Sequence, residues 1–117
     1  NHNKSIKFGY ENAHPFGFFI KDKKSVLGGI EGKIWLGSLR IVRLFVQPTI
    51  QKYGYGKALL KQAEGYGKQH GALLASLENL CFQQTLNFYL KFGYSIIFSE
   101  EGYLENTTIF HLRKKLV

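Results

Sequence analysis

Gln51-Lys52-Tyr53-Gly54-Tyr55-Gly56-Lys57 stands between two segments of different period. Before it, Leu39 to Val46 reads LRIVRLFV, a β-prone run that is almost continuously apolar at its C-terminal end, as expected of a strand buried on both faces. After it, Leu59, Leu60, Ala63 and Tyr66 fall at i, i+1, i+4 and i+7, one stripe of an amphipathic helix, with Lys57, Lys61, Glu64 and Lys68 on the other side. Pro48 marks the change, and Gly71 after His70 is a C-terminal stop. The quoted stretch is therefore a strand-to-helix turn, where unpaired backbone N–H groups meet the positive end of a helix dipole. Gly54 and Gly56 let a ligand approach the main chain, and Lys52 and Lys57 add positive charge. An anion cradle is the physical reading.

The flanking segments supply the rest of the architecture. His14 to Ile20 and Val26 to Leu36 read as two antiparallel strands around the charged turn Lys21-Asp22-Lys23-Lys24-Ser25, and Gly37-Ser38 turns into the third strand. Ala72 to Leu77 reads as a short buried strand, parallel to the third because a helix intervenes. A second helix is expected over roughly Phe82 to Phe92, with Gly93 after its end. Tyr94 to Phe98 and Thr108 to Arg113 read as strands on either side of an acidic loop, Glu100 to Asn106. The order is β-β-β-α-β-α-β-β, an α/β class chain with a mixed sheet and two helices. Gly65 and Gly67 interrupt the first helix at about 1 kcal/mol each relative to Ala, either as plain defects or to permit close packing on the sheet.

Which anion the cradle takes depends on the spacing. A P-loop needs GxxxxGK[ST], but Gly56-Lys57 is followed by Ala58, and Gln51 stands at the first glycine position. The dinucleotide fingerprint GxGxxG fails at Leu59. What remains, Gln-x-x-Gly-x-Gly, resembles the [RQ]-x-x-G-x-[GA] motif of the GNAT superfamily of acetyl-CoA-dependent N-acetyltransferases. Leu44-Phe45-Val46-Gln47-Pro48 resembles that family's fourth strand and its exit, and Asn87-Phe88-Tyr89-Leu90-Lys91-Phe92-Gly93-Tyr94 resembles its FY-x-K-x-G-[FY] segment. Both motifs occur in the family's order, with a helix and a strand between them.

The resemblance implies a GNAT-like fold in one domain, residues 1–117, and acetyl-CoA as co-substrate. It assigns Gln51, Lys52, Tyr53, Gly54, Tyr55, Gly56 and Lys57 to the CoA pyrophosphate. It assigns Phe45, Val46 and Gln47 to pantetheine, because the family's fourth strand splays from the fifth and pairs its exposed main chain with the cofactor. Tyr89 becomes the general acid for the departing thiolate, against a reading of Tyr89 as core packing on its helix's apolar stripe. The family's usual base position on the strand is taken by Arg43, so Glu78, at the end of the strand after the first helix, is the base candidate, with Glu31 and His14 as further options. Capping the next helix, or simple exposure, is the competing role for Glu78. The position seven before Tyr89, an Asn in many relatives, holds Phe82, and Asn79 lies out of register. Asn1 to Ala13 is too short for the two helices that relatives carry before the hairpin. The acceptor pocket is then open, or is completed by a second subunit as a homodimer.

Composition narrows the alternatives. Apolar residues make up 44% of the 117-residue chain and charged residues 21%, with ten Phe and seven Tyr, which excludes a disordered tail. No run reaches the roughly 18 apolar residues of a membrane span, and no signal-peptide core opens the chain, so a cytoplasmic domain without membrane partners is expected. The single cysteine, Cys81, can form neither an internal disulfide nor a multi-cysteine zinc site, and no HExxH motif is present, so no metal is expected. His2, His70 and His111 read as unremarkable. Sixteen Lys and Arg against eight Asp and Glu give a net charge of +8, which draws anions but interleaves with no aromatic platform for nucleic acid. Three functions follow: N-acetylation of a small-molecule or peptide amine, a catalytically idle CoA-binding module, or, with less support, a basic nucleic-acid-binding domain.

Overall fold

The computed structural model describes residues 13–80 and 83–117. Among these residues six strands and two α-helices follow the expected order: β1 (His14–Lys21), β2 (Val26–Trp35), β3 (Ser38–Val46), α1 (Tyr55–Gln69), β4 (Leu74–Leu80), α2 (Gln83–Lys91), β5 (Ser95–Glu100) and β6 (Ile109–Lys115). Short 3-10 turns, Pro48–Tyr53 and Leu104–Asn106, precede α1 and β6. All six strands form one sheet in the order β1-β2-β3-β4-β6-β5.

Local chemistry explains the first three strands. The Asp22 carboxylate accepts the Lys24 and Ser25 amides at 2.8 Å each and closes the first hairpin, and those two bonds hold its carboxyl below the usual range. The second hairpin turns on Leu36 and Gly37, at φ 52° and 77°, two left-handed residues whose twist suits adjoining strands. Gly71 and Gly93, at φ 84° and 98°, end α1 and α2 as expected.

Ile30, Leu39, Ala75, Leu77 and Leu112 from the sheet, Leu59, Leu60 and Ala63 from α1, and Leu86 and Tyr89 from α2 make one continuous core. Gly67 lies against it. A Cβ there would stand 3.2–3.3 Å from Leu39, so this glycine serves close packing, whereas a Cβ on exposed Gly65 would meet nothing within 4 Å. Beneath α1 the buried Glu64 carboxylate accepts the Tyr94 hydroxyl at 2.7 Å and Lys114 Nζ at 2.9 Å, tying the helix to the turn after α2 and to β6.

One expectation about β3 is corrected. Its C-terminal half is not buried on both faces: Val42 is 70% exposed and Arg43 is exposed. The parallel ladder to β4 pairs only Ser38, Leu39 and Arg40 with Leu74, Ala75 and Ser76. Beyond Arg40 the two strands part, and the apolar run LFV follows a sheet margin instead of an interior. β4 also runs to Leu80, past the expected end at Leu77, which places Glu78 and Asn79 inside a strand.

Candidate functional site

Two features lie on either side of the exit of β3. The first is the turn into α1. Gly54 takes φ 79° and ψ 17°, the left-handed conformation glycine adopts without strain, and serves as the N-cap of α1. No side chain caps this end, its first turn holds no acidic residue, and the Ala58 amide is bonded to the Gly54 carbonyl at 3.1 Å. The amides of Tyr55, Gly56 and Lys57 precede that bond, where an α-helix has no carbonyl to offer them. A Cβ on Gly54 would meet nothing within 4 Å, so the approach to these amides is open. Lys52 Nζ lies 5.5 Å from the centre of the Tyr53 ring and Lys57 Nζ 5.8 Å from that of Phe92. Three N–H donors without helical partners and a helix dipole suit a diphosphate, and Lys52 and Lys57 add positive charge in the same stretch of chain.

Gln51 turns inward. Its side-chain amide donates to the Val46 carbonyl at 2.9 Å, which fastens the 3-10 turn to the strand exit. Gln47 is likewise spent on β2, its backbone N–H on the Leu27 carbonyl at 2.8 Å and its side chain on Val26 at 3.1 Å. With Gln47 facing β2, antiparallel alternation directs the Phe45 main chain to β2 as well, and turns the Leu44 and Val46 main chains to the other side.

The second feature is the opening where β3 leaves β4. Arg40, Ile41 and Val42 line one wall, and Glu78, Asn79, Leu80 and Ile109 the other, around a volume of about 280 Å³. Arg40 Nη2 donates to Glu78 Oε2 at 3.3 Å across it. The Asn79 Oδ1 is buried here without a hydrogen-bond partner among the described residues. A glycine-turned helix end beside a parted pair of parallel strands joins an anion cradle to a slot.

Residues 2–94 match the family described as the acetyltransferase (GNAT) family, most of the chain's length. The chain belongs to the GNAT family. Its fold is that of solved GNAT-type structures. An acetyltransferase from Bacillus cereus ATCC 14579 superposes with a TM-score of 0.82 at 24% identity, over 97% of this chain and 87% of that one. The ribosomal-protein-S18-alanine N-acetyltransferase of Escherichia coli gives 0.79 at 14% identity, over 98% and 76%. The PaiA N-acetyltransferase of Thermoplasma acidophilum, solved in complex with coenzyme A, gives 0.72 at 24% identity, over 97% and 67%. No curated protein matches the chain.

Within this GNAT fold the remaining candidates are dispersed. Tyr89 is 8% exposed and packs edge-on against Phe88 and Tyr94, with ring centres 5.2 and 5.7 Å away. Burial pushes its phenol up to about 12, so it stays protonated at neutral pH. It is not among the residues lining the opening. Glu78 is on that lining, half exposed and held by Arg40. Glu31 instead accepts from Arg43 at 3.1 Å, and Arg43 also covers the Phe45 ring at 4.2 Å. His14 stands on the outer strand β1, its Nε2 2.7 Å from the Tyr66 hydroxyl, with β2 and β3 between it and β4. Phe82 and Cys81 fall outside the described residues.

Sequence reasoning overlooks His111. β6 lies between β4 and β5, so His111 is paired with Glu78 on one side and Phe98 on the other. Its Nδ1 is 3.7 Å from Glu78 Oε2 and its Nε2 is 2.7 Å from Glu100 Oε1, while the Phe98 ring stacks on it at 4.0 Å. No local signal in the chain reports that juxtaposition. Among the described residues no group of three or more His, Cys, Asp and Glu side chains is placed to hold a metal ion, and no helix is long and apolar enough to cross a membrane.

Proposed function

We propose that this GNAT protein is an acetyl-CoA-dependent N-acetyltransferase that moves an acetyl group to a primary amine by direct attack on the thioester, acting in the cytoplasm. The observation that carries the reading is the open, uncapped N-terminus of α1 at Gly54 beside the slot between β3 and β4. The Tyr55, Gly56 and Lys57 amides take the diphosphate oxygens, with Lys52 and Lys57 neutralising charge, and Gln51 and Tyr53 shape the turn. The Val46 N–H, turned from β2, offers pantetheine a strand-like partner beside Phe45, while the Val46 carbonyl is held by Gln51.

The chemistry needs few groups. The amine loses its ammonium proton to Glu78, the nearest carboxylate on the slot. Its lone pair forms the C–N bond to the thioester carbonyl, the C–S bond breaks, the thiolate takes a proton from Tyr89, and the second proton shed by the new amide nitrogen returns through water to the phenolate. Holding donor and acceptor in one slot supplies much of the barrier reduction. The acceptor is a small-molecule or peptide amine.

Titration calorimetry with CoA and a free-thiol release assay across an amine panel test this. Saturable binding and turnover are expected, and Gly54→Glu should abolish both by placing a carboxylate against the diphosphate. A parent chain that fails to bind CoA overturns the reading. The burial of Tyr89 away from the slot lining favours a second reading, a CoA-binding module without turnover. Saturable binding with no thiol release for any amine selects it.

A further inference from the structure

We propose that Glu78, His111 and Glu100 form a single proton relay, in which His111 accepts the proton that Glu78 removes from the amine and passes it to Glu100 at the surface. The proposal rests on the acetyl-transfer reading and names how its base is emptied. His111 has a carboxylate oxygen at each ring nitrogen, Glu78 Oε2 at 3.7 Å from Nδ1 and Glu100 Oε1 at 2.7 Å from Nε2. A neutral imidazole donates from one nitrogen only. The short Nε2 contact takes that proton to Glu100, which leaves the Nδ1 lone pair facing Glu78. A lone pair set against a carboxylate is repulsive unless a proton lies between them, so the Glu78–His111 pair is built to share one.

The surroundings keep this arrangement in place. Phe98 covers one face of the ring with an interplanar angle of 12°, and the His111 side chain is only 16% exposed while Glu78 and Glu100 are about half exposed. The charged groups facing His111 are Glu78 from β4 and Glu100 from β5, with Arg40 of β3 reaching it through Glu78, and Arg113 two positions along β6 on the same face. Glu78 Oε2 also accepts from Arg40 at 3.3 Å, and a shift of less than about 1 Å would close its 3.7 Å gap to Nδ1. Exposed ion pairs of this kind add little stability, so the order of the cluster is not explained by the pairs' contribution to folding.

The proton count balances. An ammonium proton moves to Glu78, then to Nδ1, forming imidazolium. The Nε2 proton leaves to Glu100 and then to water, which restores a neutral ring protonated at Nδ1. Return of the ring proton to Nε2, through water, resets the relay.

Two measurements test it on the 117-residue chain. In nitrogen-15 NMR spectra of the His111 side chain, the pH profile of the Nδ1 resonance should differ between the parent and Glu78→Gln, and that of Nε2 between the parent and Glu100→Gln. Identical profiles overturn the relay whether or not the protein turns over. In the thiol-release assay, His111→Gln and His111→Asn should lower kcat/KM about 10- to 100-fold at neutral pH, with the loss narrowing as pH rises and the amine arrives already deprotonated. CoA affinity by calorimetry should be unchanged. A variant that keeps the parent rate, or loses the same factor at every pH, overturns the relay alone. Failure of the parent to release thiol with any amine overturns the transfer reading and with it the relay's role.

Discussion

Gly56 separates what the fold needs from what a ligand needs. Its φ is not left-handed, and a Cβ there would meet the Phe88 ring at 3.5 Å and Val46 at 4.0 Å, ordinary contacts that cost nothing. Alanine is also the better helix former by about 1 kcal/mol in a helix interior, so the fold gives no reason for glycine at this position. Gly54 differs, because its φ of 79° would strain any other residue. Gly56→Ala should therefore leave the melting temperature unchanged or slightly raised while weakening CoA binding severalfold or more, read by thermal melts and calorimetry on the same preparation. A variant that binds CoA as tightly as the parent would mean that the ligand does not pass over this residue.

At the scale of elements, the two glycines of α1 make opposite contributions. Gly65 is exposed with open space where its Cβ would be, so Gly65→Ala should gain up to about 1 kcal/mol in urea unfolding. Gly67→Ala should lose that gain, because its methyl would press on Leu39 at 3.2–3.3 Å and on Ala72 at 3.4 Å. Equal gains from both would show that α1 does not rest on β3 through this glycine. The helix stripe of Leu59, Leu60 and Ala63, the hairpin at Asp22 and the stops at Gly71 and Gly93 are all legible in the sequence, because each is decided by residues a few positions apart. The turn at Gln51 to Lys57 is legible for the same reason. The slot is not: whether LFV is an interior strand or a margin depends on how far β4 accompanies β3, a distant pairing that apolarity alone cannot report. The placement of β6 between β4 and β5 is equally non-local, and it alone brings His111 between Glu78 and Glu100. Tyr89 can be read from sequence either as core or as an acid, since its stripe position and its motif coincide.

For the molecule as a whole, buried phenols should set the alkaline limit of stability. Tyr89 and Tyr94 pack together at 5.7 Å where α2, the turn after it and α1 meet, and the Tyr94 hydroxyl donates to Glu64 beneath α1. Burial raises Tyr89 from 10.0 to about 12. Burial, and then the Glu64 carboxylate, raise Tyr94 as well. A phenol whose folded value lies above its unfolded value holds its proton more tightly in the native state, so the native state binds more protons between the two values. Its contribution is complete below pH 10 and is lost as pH rises towards 12; for Tyr89 the difference corresponds to roughly 3 kcal/mol. Unfolding followed by circular dichroism should show a flat stability below about pH 10 and a steep fall above it. Tyr89→Phe, which cannot ionise, should make that fall shallower, and should lower kcat without changing CoA affinity if the phenol protonates the thiolate. An alkaline transition that keeps the parent's slope in Tyr89→Phe would place the titrating group elsewhere. An unchanged kcat in the same variant would return Tyr89 to the core alone.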